Sequence, residues 1–229
     1  MFRPREFQLD DKAVLQQLLA QRAFGVLVTG APAQAGAPAA THLPFLLDTA
    51  RGPFGTLRSH VARRNPHWKA LADAPRVLCI FELGDAYVSP RWYAQEEDVP
   101  TWNYAAIHAS GCARLLHDDA AMPLLAETVA AFEARLPGAP WSAARMSDPA
   151  MVRALARAVV PFEVEIDTLE GVAKLSQDKL AGDLGRVREQ LALQPGPGGV
   201  ALAALMQRLG AEGRAPGSVP STSPPEAAA

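Results

Sequence analysis

The chain has 229 residues, 22 basic and 24 acidic side chains, and a hydrophobic fraction of 49%. This length fits one domain with or without an appendage, and the composition can supply a sizeable core. A formal net charge of −2 excludes a generally basic nucleic-acid-binding surface. No apolar run is long enough for a membrane span or a signal peptide, and two cysteines cannot form a disulfide framework, so we expect a cytoplasmic protein.

The N-terminal segment predicts a helix followed by a strand. A carboxylate at Asp10 can accept hydrogen bonds from the free amides of a first helical turn, so we expect Asp10 to be the N-cap. The apolar side chains that follow recur at helical spacing: Val14, Leu15, Leu18 and Leu19. The β-branched segment 24–29 predicts a strand, and the Ala-, Pro- and Gly-rich segment 30–38 predicts an exposed loop.

Three strands and a short helix are expected next. Residues 40–48 and 54–60 predict strands, with Pro44 at an edge or bulge because proline donates no ladder hydrogen bond. Asn65 and Pro66 suit the cap and first position of a short helix. Residues 76–82 are almost continuously apolar, which is typical of a strand buried on both faces.

The second half predicts further strands and four helices. We expect strands at 86–89, 103–115 and 162–166, with a bulge or bend at Gly111. Helices are predicted at 118–136, 147–158, 178–193 and 200–209, with Ser147 capping the second and Gly210 ending the last. These elements predict a mainly β fold with helical additions (α+β) and a barrel-like core. We expect the barrel at 1–178, C-terminal helices packed on it at 179–210, and a disordered tail at 211–229.

The segment 57–69 has the chemistry of a phosphate site. It ends a strand, carries four cations and a hydroxyl, and enters a helix. Guanidinium groups and a helix N-terminus both suit a phosphate, although a solvated basic turn would look the same. The five histidines show no metal-ligand spacing, so no metal site is predicted.

Two other segments are candidates for ligand contact. Residues 89–104 contain two Trp and two Tyr, which suit a planar ligand, a subunit interface or a packed aromatic corner. Residues 174–177 bring together a lysine, a hydroxyl and an amide, which suit either a ligand's polar edge or a helix-capping turn at Ser176.

Together these segments resemble the PaiB family of FMN-binding negative transcriptional regulators. The matching motifs occur in family order over about three-quarters of the chain: FRPREFQLDD, FGVLVT, ATHLPFLLD, LRSHVARRNPHWK, AYVSPRWY, VPTWNYAAIHASG and KLSQD. The family usually continues KLSQ with Asn and a basic residue, whereas this chain has Asp178, Lys179 and Leu180, so no contact is assigned to position 178.

The resemblance implies an FMN-binding split β-barrel of the pyridoxamine-phosphate-oxidase type, which forms a homodimer with FMN between subunits. Carried onto this chain, it assigns the FMN phosphate to Arg58, Ser59, His60 and Arg63, with Lys69 as a further cation. It places Thr41, His42 and Pro44 beside the isoalloxazine. It also assigns cofactor contacts, some from the partner subunit, to Trp102, Asn103, Lys174, Ser176 and Gln177.

The function implied is negative transcriptional regulation, although the sequence has no recognisable DNA-reading element. The Pro-Gly loop between the last two predicted helices looks too long for a helix-turn-helix, which leaves direct contact with DNA open. The alternative is a flavin-dependent oxidoreductase that uses bound FMN and NAD(P)H on a small substrate. A dimeric scaffold with a vestigial flavin site is a third interpretation, because fold does not fix function. No membrane partner is expected.

Overall fold

The structure is a computed structural model that describes residues 1–30, 37–73, 75–94 and 98–213. Residues 31–36 of the predicted loop and 214–229 of the predicted tail therefore lie outside the described residues. None of the helices in the described ranges is long and apolar enough to cross a membrane.

An antiparallel sheet with helical additions forms the described chain. The strands are β1 (Gln8–Leu9), β2 (Phe24–Thr29), β3 (Ala39–Pro44), β4 (Leu46–Asp48), β5 (Thr56–Ala62), β6 (Arg76–Val88), β7 (Thr101–Leu115) and β8 (Val159–Lys174). The α-helices are α1 (Lys12–Gln21), α2 (His67–Asp73), α3 (Ala121–Glu133), α4 (Pro149–Arg157), α5 (Ala181–Leu193) and α6 (Pro197–Arg208). The strand order is β3-β2-β6-β7-β8-β5-β4, and β1 pairs with β8. This arrangement confirms the predicted α+β class.

The chain divides into two compact units, and the division falls within β6, β7 and β8. Among the described residues, the first unit contains Met1 and residues 10–30, 37–73, 75–82 and 107–170. Its core includes Phe45, which lies edge-on to Phe81 and Phe162 at centroid distances of 5.4 and 6.4 Å. The second unit contains residues 2–9, 83–94, 98–106 and 171–213, and α5 and α6 bury Val187, Leu191 and Leu202 within it. The predicted boundaries at 178 and 210 stay predictions.

Several element ends differ from the predicted ones because a neighbouring group caps or interrupts them. The N-cap of α1 is Asp11 rather than Asp10, since the Asp11 carboxylate accepts from the Val14 amide at 3.0 Å. The N-cap of α4 is Asp148 rather than Ser147. The predicted strand 40–48 is split at Phe45, whose amide donates to the carbonyl of Ala23 at 2.7 Å.

The connection between α5 and α6 is only residues 194–196, so the predicted long loop is wrong. The Pro-Gly segment instead supplies the first turn of α6. A Cβ at Gly198 would lie 2.1 Å from the carbonyl oxygen of Asp85, and one at Gly199 would lie 2.4 Å from that of Leu191. Glycine is therefore needed here because α6 packs directly against backbone.

The outward face of β2 and β6 is apolar but only half-buried. Val26 lies opposite Ile80 and Val28 lies opposite Leu78 in the antiparallel register, and all four side chains are half-buried. The alternate residues of β6, such as Cys79 and Phe81, are fully buried. The chain by itself thus buries one face of this strand, whereas its continuous apolar sequence predicts burial of both.

Candidate functional site

The predicted phosphate residues on β5 lie on opposite faces of the strand. Leu57, Ser59 and Val61 are buried, while Arg58 and His60 alternate with them and are half-buried. The Ser59 hydroxyl donates to the carbonyl of Pro44 at 2.6 Å. Ser59 could reach a ligand only by giving up that bond, so the outward face of β5 offers a guanidinium and an imidazole without the predicted hydroxyl.

Arg58 is held by a carboxylate from α3. Its two terminal nitrogens donate to the two oxygens of Glu127, one of them at 2.7 Å. This hydrogen bond raises the pKa of Arg58, so the side chain stays a cation. The Arg58 Nε is buried and has no acceptor in the described part of the chain. A buried donor without an acceptor costs free energy, so this nitrogen is a group that an anionic ligand could satisfy.

His60 is the second group on this face. Burial lowers its pKa, which favours the neutral imidazole at pH 7. A neutral imidazole carries one N–H donor and one acceptor nitrogen, so it can donate one hydrogen bond to a phosphate oxygen. Arg58 and His60 therefore present a cation and a neutral donor two residues apart on one strand.

The other predicted cations differ in how free they are. Arg63 is bound to structural partners: it donates to Asp118 at 2.7 Å and to the carbonyls of Arg157 and Val159 at 2.8 and 2.9 Å. These bonds hold the end of α4 and the start of β8. Lys69 is exposed, with its Nζ 5.8 Å from the centre of the Trp68 ring. Lys69 can thus reach a ligand without breaking an ion pair, whereas Arg63 cannot.

A buried hydrogen-bond network fixes Thr41. The ring nitrogens of His67 lie 2.7 Å from the Thr41 hydroxyl and 3.0 Å from the Thr29 hydroxyl. Asn65 donates to the Thr41 hydroxyl at 3.2 Å and accepts from the His67 amide at 3.0 Å. The network joins β2, β3 and α2, so the position of Thr41 is set by three elements at once.

His67 was not among the predicted site residues. The signal available in the sequence is its position after the helix-starting pair Asn65 and Pro66, which turns it into the protein interior. That pattern does not reveal the threonine partners, because they come from strands 38 and 26 residues earlier in the chain. Of the other two predicted ring-side residues, His42 is exposed, and its ring stacks with that of Phe24 at 6.3 Å. Pro44 is half-buried, and its carbonyl accepts from the Ser59 hydroxyl at 2.6 Å.

The five predicted contacts from residue 101 onward lie in the second unit, and two of them, Asn103 and Ser176, bond to each other. Asn103 and Ser176 exchange hydrogen bonds at 2.9 and 3.3 Å, and Ser176 has a φ of 67°. Gln177 bonds to its own turn through the Leu175 amide and the Ala173 carbonyl. Ser176 does not cap α5, which begins five residues later. These three side chains therefore shape a strained, buried turn.

Lys174 and Trp102 are the more available members of this second set. The Lys174 Nζ donates to the Thr101 hydroxyl at 2.6 Å and lies 6.0 Å from the centre of the Phe7 ring. Trp102 is 56% exposed, and its ring lies edge-on to that of Tyr87 at a centroid distance of 6.1 Å. An exposed indole on a strand is an apolar surface that a planar ligand or a second subunit could cover.

The donor set fits FMN in part. Its phosphate needs two or three charge-assisted donors, and the outward face of β5 supplies two, Arg58 and His60. The predicted helix N-terminus does not add to this set, because α2 has only seven residues and Asn65 already accepts from its first amide. Within the described residues, no cluster of His, Cys, Asp and Glu side chains could hold a metal ion.

Known sequences are similar to this chain over most of its length. The family described as "Putative FMN-binding domain" matches residues 1–168. "Protease synthase and sporulation protein PAI 2" of Bacillus subtilis (strain 168) is 29% identical over 207 residues, which cover 90% of this chain and 97% of that protein.

Solved structures share the fold at low sequence identity. One, described as a putative 5-nitroimidazole antibiotic resistance protein of Bacteroides thetaiotaomicron, has a TM-score of 0.51 at 14% identity and covers 72% of this chain and 84% of its own. The FAD and heme binding protein of Mycobacterium smegmatis has a TM-score of 0.50 at 18% identity and covers 73% of each chain. The shared architecture is the split barrel expected from the sequence.

We predict that His67 makes stability depend on pH. Burial lowers the pKa of His67, so the unfolded chain binds more protons than the folded one below about pH 6.5. The contribution of His67 to the free energy of unfolding is therefore complete above that pH, and it is lost as the pH is lowered. His67→Gln should be less stable at pH 7 by about 1–3 kcal/mol, because buried hydrogen bonds are lost, but should lose less stability between pH 7 and pH 5.

Urea unfolding at several pH values measures both effects. His60 and His108, whose pKa values are also lowered by burial, remain in both proteins, so the difference in slope reports His67. His117→Gln is the control, since that side chain is 85% exposed, and its curve should parallel the wild type. Parallel curves for His67→Gln and the wild type would contradict the prediction.

Proposed function

The chain belongs to the FMN-binding domain family, and from this membership we propose that it is a PaiB-type negative transcriptional regulator, a homodimer that binds FMN through the outward face of β5. The membership confirms the resemblance that the sequence motifs indicated, and it makes FMN the cofactor. FMN supplies a planar ring for redox or sensing chemistry and a phosphate for anchoring.

One observation carries the phosphate part of the proposal: Arg58 has a buried Nε without an acceptor in the described chain. His60 lies on the same face of β5. A hydrogen bond to a charged group contributes about 1.5–3 kcal/mol, so Arg58 accounts for much of the phosphate affinity. Thr41, fixed by His67, supports the ring end of the cofactor.

The half-buried apolar face of β2 and β6 supports the dimer. Val26, Val28, Leu78 and Ile80 form two adjacent cross-strand pairs on that face. Contiguous apolar side chains left half-exposed on a sheet favour association, because burying them releases about 25 cal/mol per Å². A second copy of the chain is the occupant that the family resemblance implies, and it would give β6 the two buried faces that its sequence predicts.

Negative regulation is the role that the resemblance to the PaiB family implies, and the similarity to PAI 2 over 90% of this chain supports that resemblance. Two of the cations that could contact DNA are already paired, Arg58 with Glu127 and Arg63 with Asp118. We therefore propose that repression acts through the state of the dimer or a protein partner rather than through a DNA-reading helix.

Arg58→Ala should weaken FMN binding roughly ten- to a hundredfold while leaving riboflavin affinity unchanged, because only FMN carries the phosphate. Visible absorption of protein purified without added flavin, followed by FMN titration and gel filtration, measures this. Arg63→Ala is the matched control: it should lower the melting temperature, because its partners are structural, and keep FMN affinity. Loss of FMN in Arg63→Ala but not in Arg58→Ala would place the phosphate at the other arginine.

Ile80→Lys should convert the dimer to a monomer, because it puts a charge in the middle of the proposed interface while its side chain can stay solvated in the single chain. Light scattering after gel filtration gives the mass. Leu155→Lys on α4 is the matched control, since Leu155 is exposed but lies on another element. A wild-type mass of one chain would refute the dimer directly.

A gel-shift titration should use the promoter of a gene whose expression depends on the protein. We expect no shift even at low salt, where phosphate contacts are strongest. A shift that weakens steeply with added salt would instead establish direct DNA binding.

Bleaching of the bound flavin by NAD(P)H would favour the oxidoreductase interpretation, and the protein prepared for the gel-shift titration can be used for this measurement.

A further inference from the structure

Arg58 does not pair with Glu163, the carboxylate that lies opposite it on the neighbouring strand. In the β5–β8 register Arg58 lies opposite Glu163. The Glu163 carboxylate, however, is bound by Arg51 at 2.9 and 3.0 Å and by Arg114. Burial raises the pKa of Glu163, but the two guanidinium groups outweigh burial and hold that pKa below its usual value. Two cations already neutralise this carboxylate, so Arg58 takes its counter-ion from elsewhere.

That counter-ion is Glu127 on α3, which is less firmly fixed than Arg58. The Glu127 side chain is 49% exposed, against 22% for Arg58. Arg58 is its only hydrogen-bond partner within the described ranges. The helix itself is anchored by other residues, with Leu124 buried beneath it. Glu127 can therefore swing into solvent while α3 stays in place.

We propose that Glu127 is a specificity-determining residue that competes with the phosphate of FMN for Arg58, and this proposal rests on the proposed FMN site. Glu127 takes both terminal nitrogens of Arg58, and the Nε is buried, so a phosphate from solvent meets the guanidinium group at the nitrogens that Glu127 holds. A carboxylate and a phosphate cannot both take the same two terminal nitrogens, so a phosphate that binds there displaces Glu127. The anionic carboxylate that remains nearby also repels the phosphate dianion.

The consequence is a reduced preference for flavins that carry a phosphate. Riboflavin has the same ring and no phosphate, so it neither displaces Glu127 nor is repelled by it. Glu127 thus lowers FMN affinity without changing riboflavin affinity. The ratio of the two dissociation constants measures the effect of Glu127 separately from ring binding.

The test compares FMN and riboflavin binding to the full chain and to Glu127→Gln by quenching of flavin fluorescence at fixed ionic strength. The glutamine keeps the shape of the side chain and loses its charge. We expect FMN to bind about tenfold more tightly to the variant, equivalent to about 1.4 kcal/mol, and riboflavin to stay within about twofold. Glu127→Ala should also tighten FMN binding. It tests the competition even if the glutamine side chain still blocks Arg58.

Asp167→Asn is the matched control. Asp167 accepts from both terminal nitrogens of Arg76, as Glu127 does from Arg58, and the substitution removes the same charge. It should leave the ratio of FMN to riboflavin affinity unchanged. In an Arg58→Ala background, Glu127→Gln should change that ratio much less than it does in the wild type, since the competition acts through Arg58 and only the repulsion between the carboxylate and the phosphate remains. Thermal melting of every variant checks that each is folded at the temperature of binding.

The outcomes separate this proposal from the proposed function. If the wild type binds FMN and Glu127→Gln leaves the ratio unchanged or weakens FMN, the competition is refuted and the FMN site stands. If neither the wild type nor the variants bind FMN, both are refuted. If only the Glu127 variants bind FMN, the competition is confirmed, and Glu127 prevents FMN binding to the wild type under these conditions.

Discussion

The antiparallel pairing of β5 with β8 is the constraint on which the candidate site depends. Seven consecutive pairs, from Thr56 opposite Glu165 to Ala62 opposite Val159, fix the register. A shift of one residue would exchange the two faces of β5 and place Arg58 in the interior. The register also brings Arg58 opposite Glu163, whose carboxylate is already shared by two arginines. The charge balance on this face then leaves Arg58 with a partner that a ligand can replace.

The hydrogen-bond network of His67 gives a rigid element to the same unit that holds the Arg58–Glu127 ion pair. Thr29, Thr41 and Asn65 satisfy both ring nitrogens and the amide of a buried histidine. Buried polar groups that are fully satisfied specify one arrangement of the backbone, because each alternative leaves a group unpaired. A binding site benefits from this combination: fixed residues position the ligand, and a half-exposed carboxylate yields to it.

The apolar sequence of β6 links the fold of one chain to assembly. Its alternate residues fill the core, while Leu78 and Ile80 stay half-exposed beside Val28 and Val26. The sequence alone does not distinguish a strand covered by its own chain from one covered by a partner, because both remove the same apolar surface from water.

In the second unit, Ser176 keeps a φ of 67° within a buried turn whose polar groups are hydrogen-bonded by Asn103 and Gln177. Such strain persists only where surrounding contacts over-determine the backbone, which marks this turn as a formed structural feature.

The sequence by itself determined the class of fold, most strands and helices and the family, and it indicated β5 as the candidate strand for phosphate contact. These follow from local patterns: the β-branched segment of β2, the helical spacing of Leu15, Leu18 and Leu19, and the NPHWK motif. Only the tertiary structure decided which cations are free. Arg58 and Arg63 look equivalent in sequence, yet Arg63 is bound by Asp118 and two carbonyls, 55 to 96 residues away, and Arg58 by a single half-exposed carboxylate. The physical reason is that a charge is satisfied by whatever the fold brings within hydrogen-bond distance, and those partners are remote in the chain.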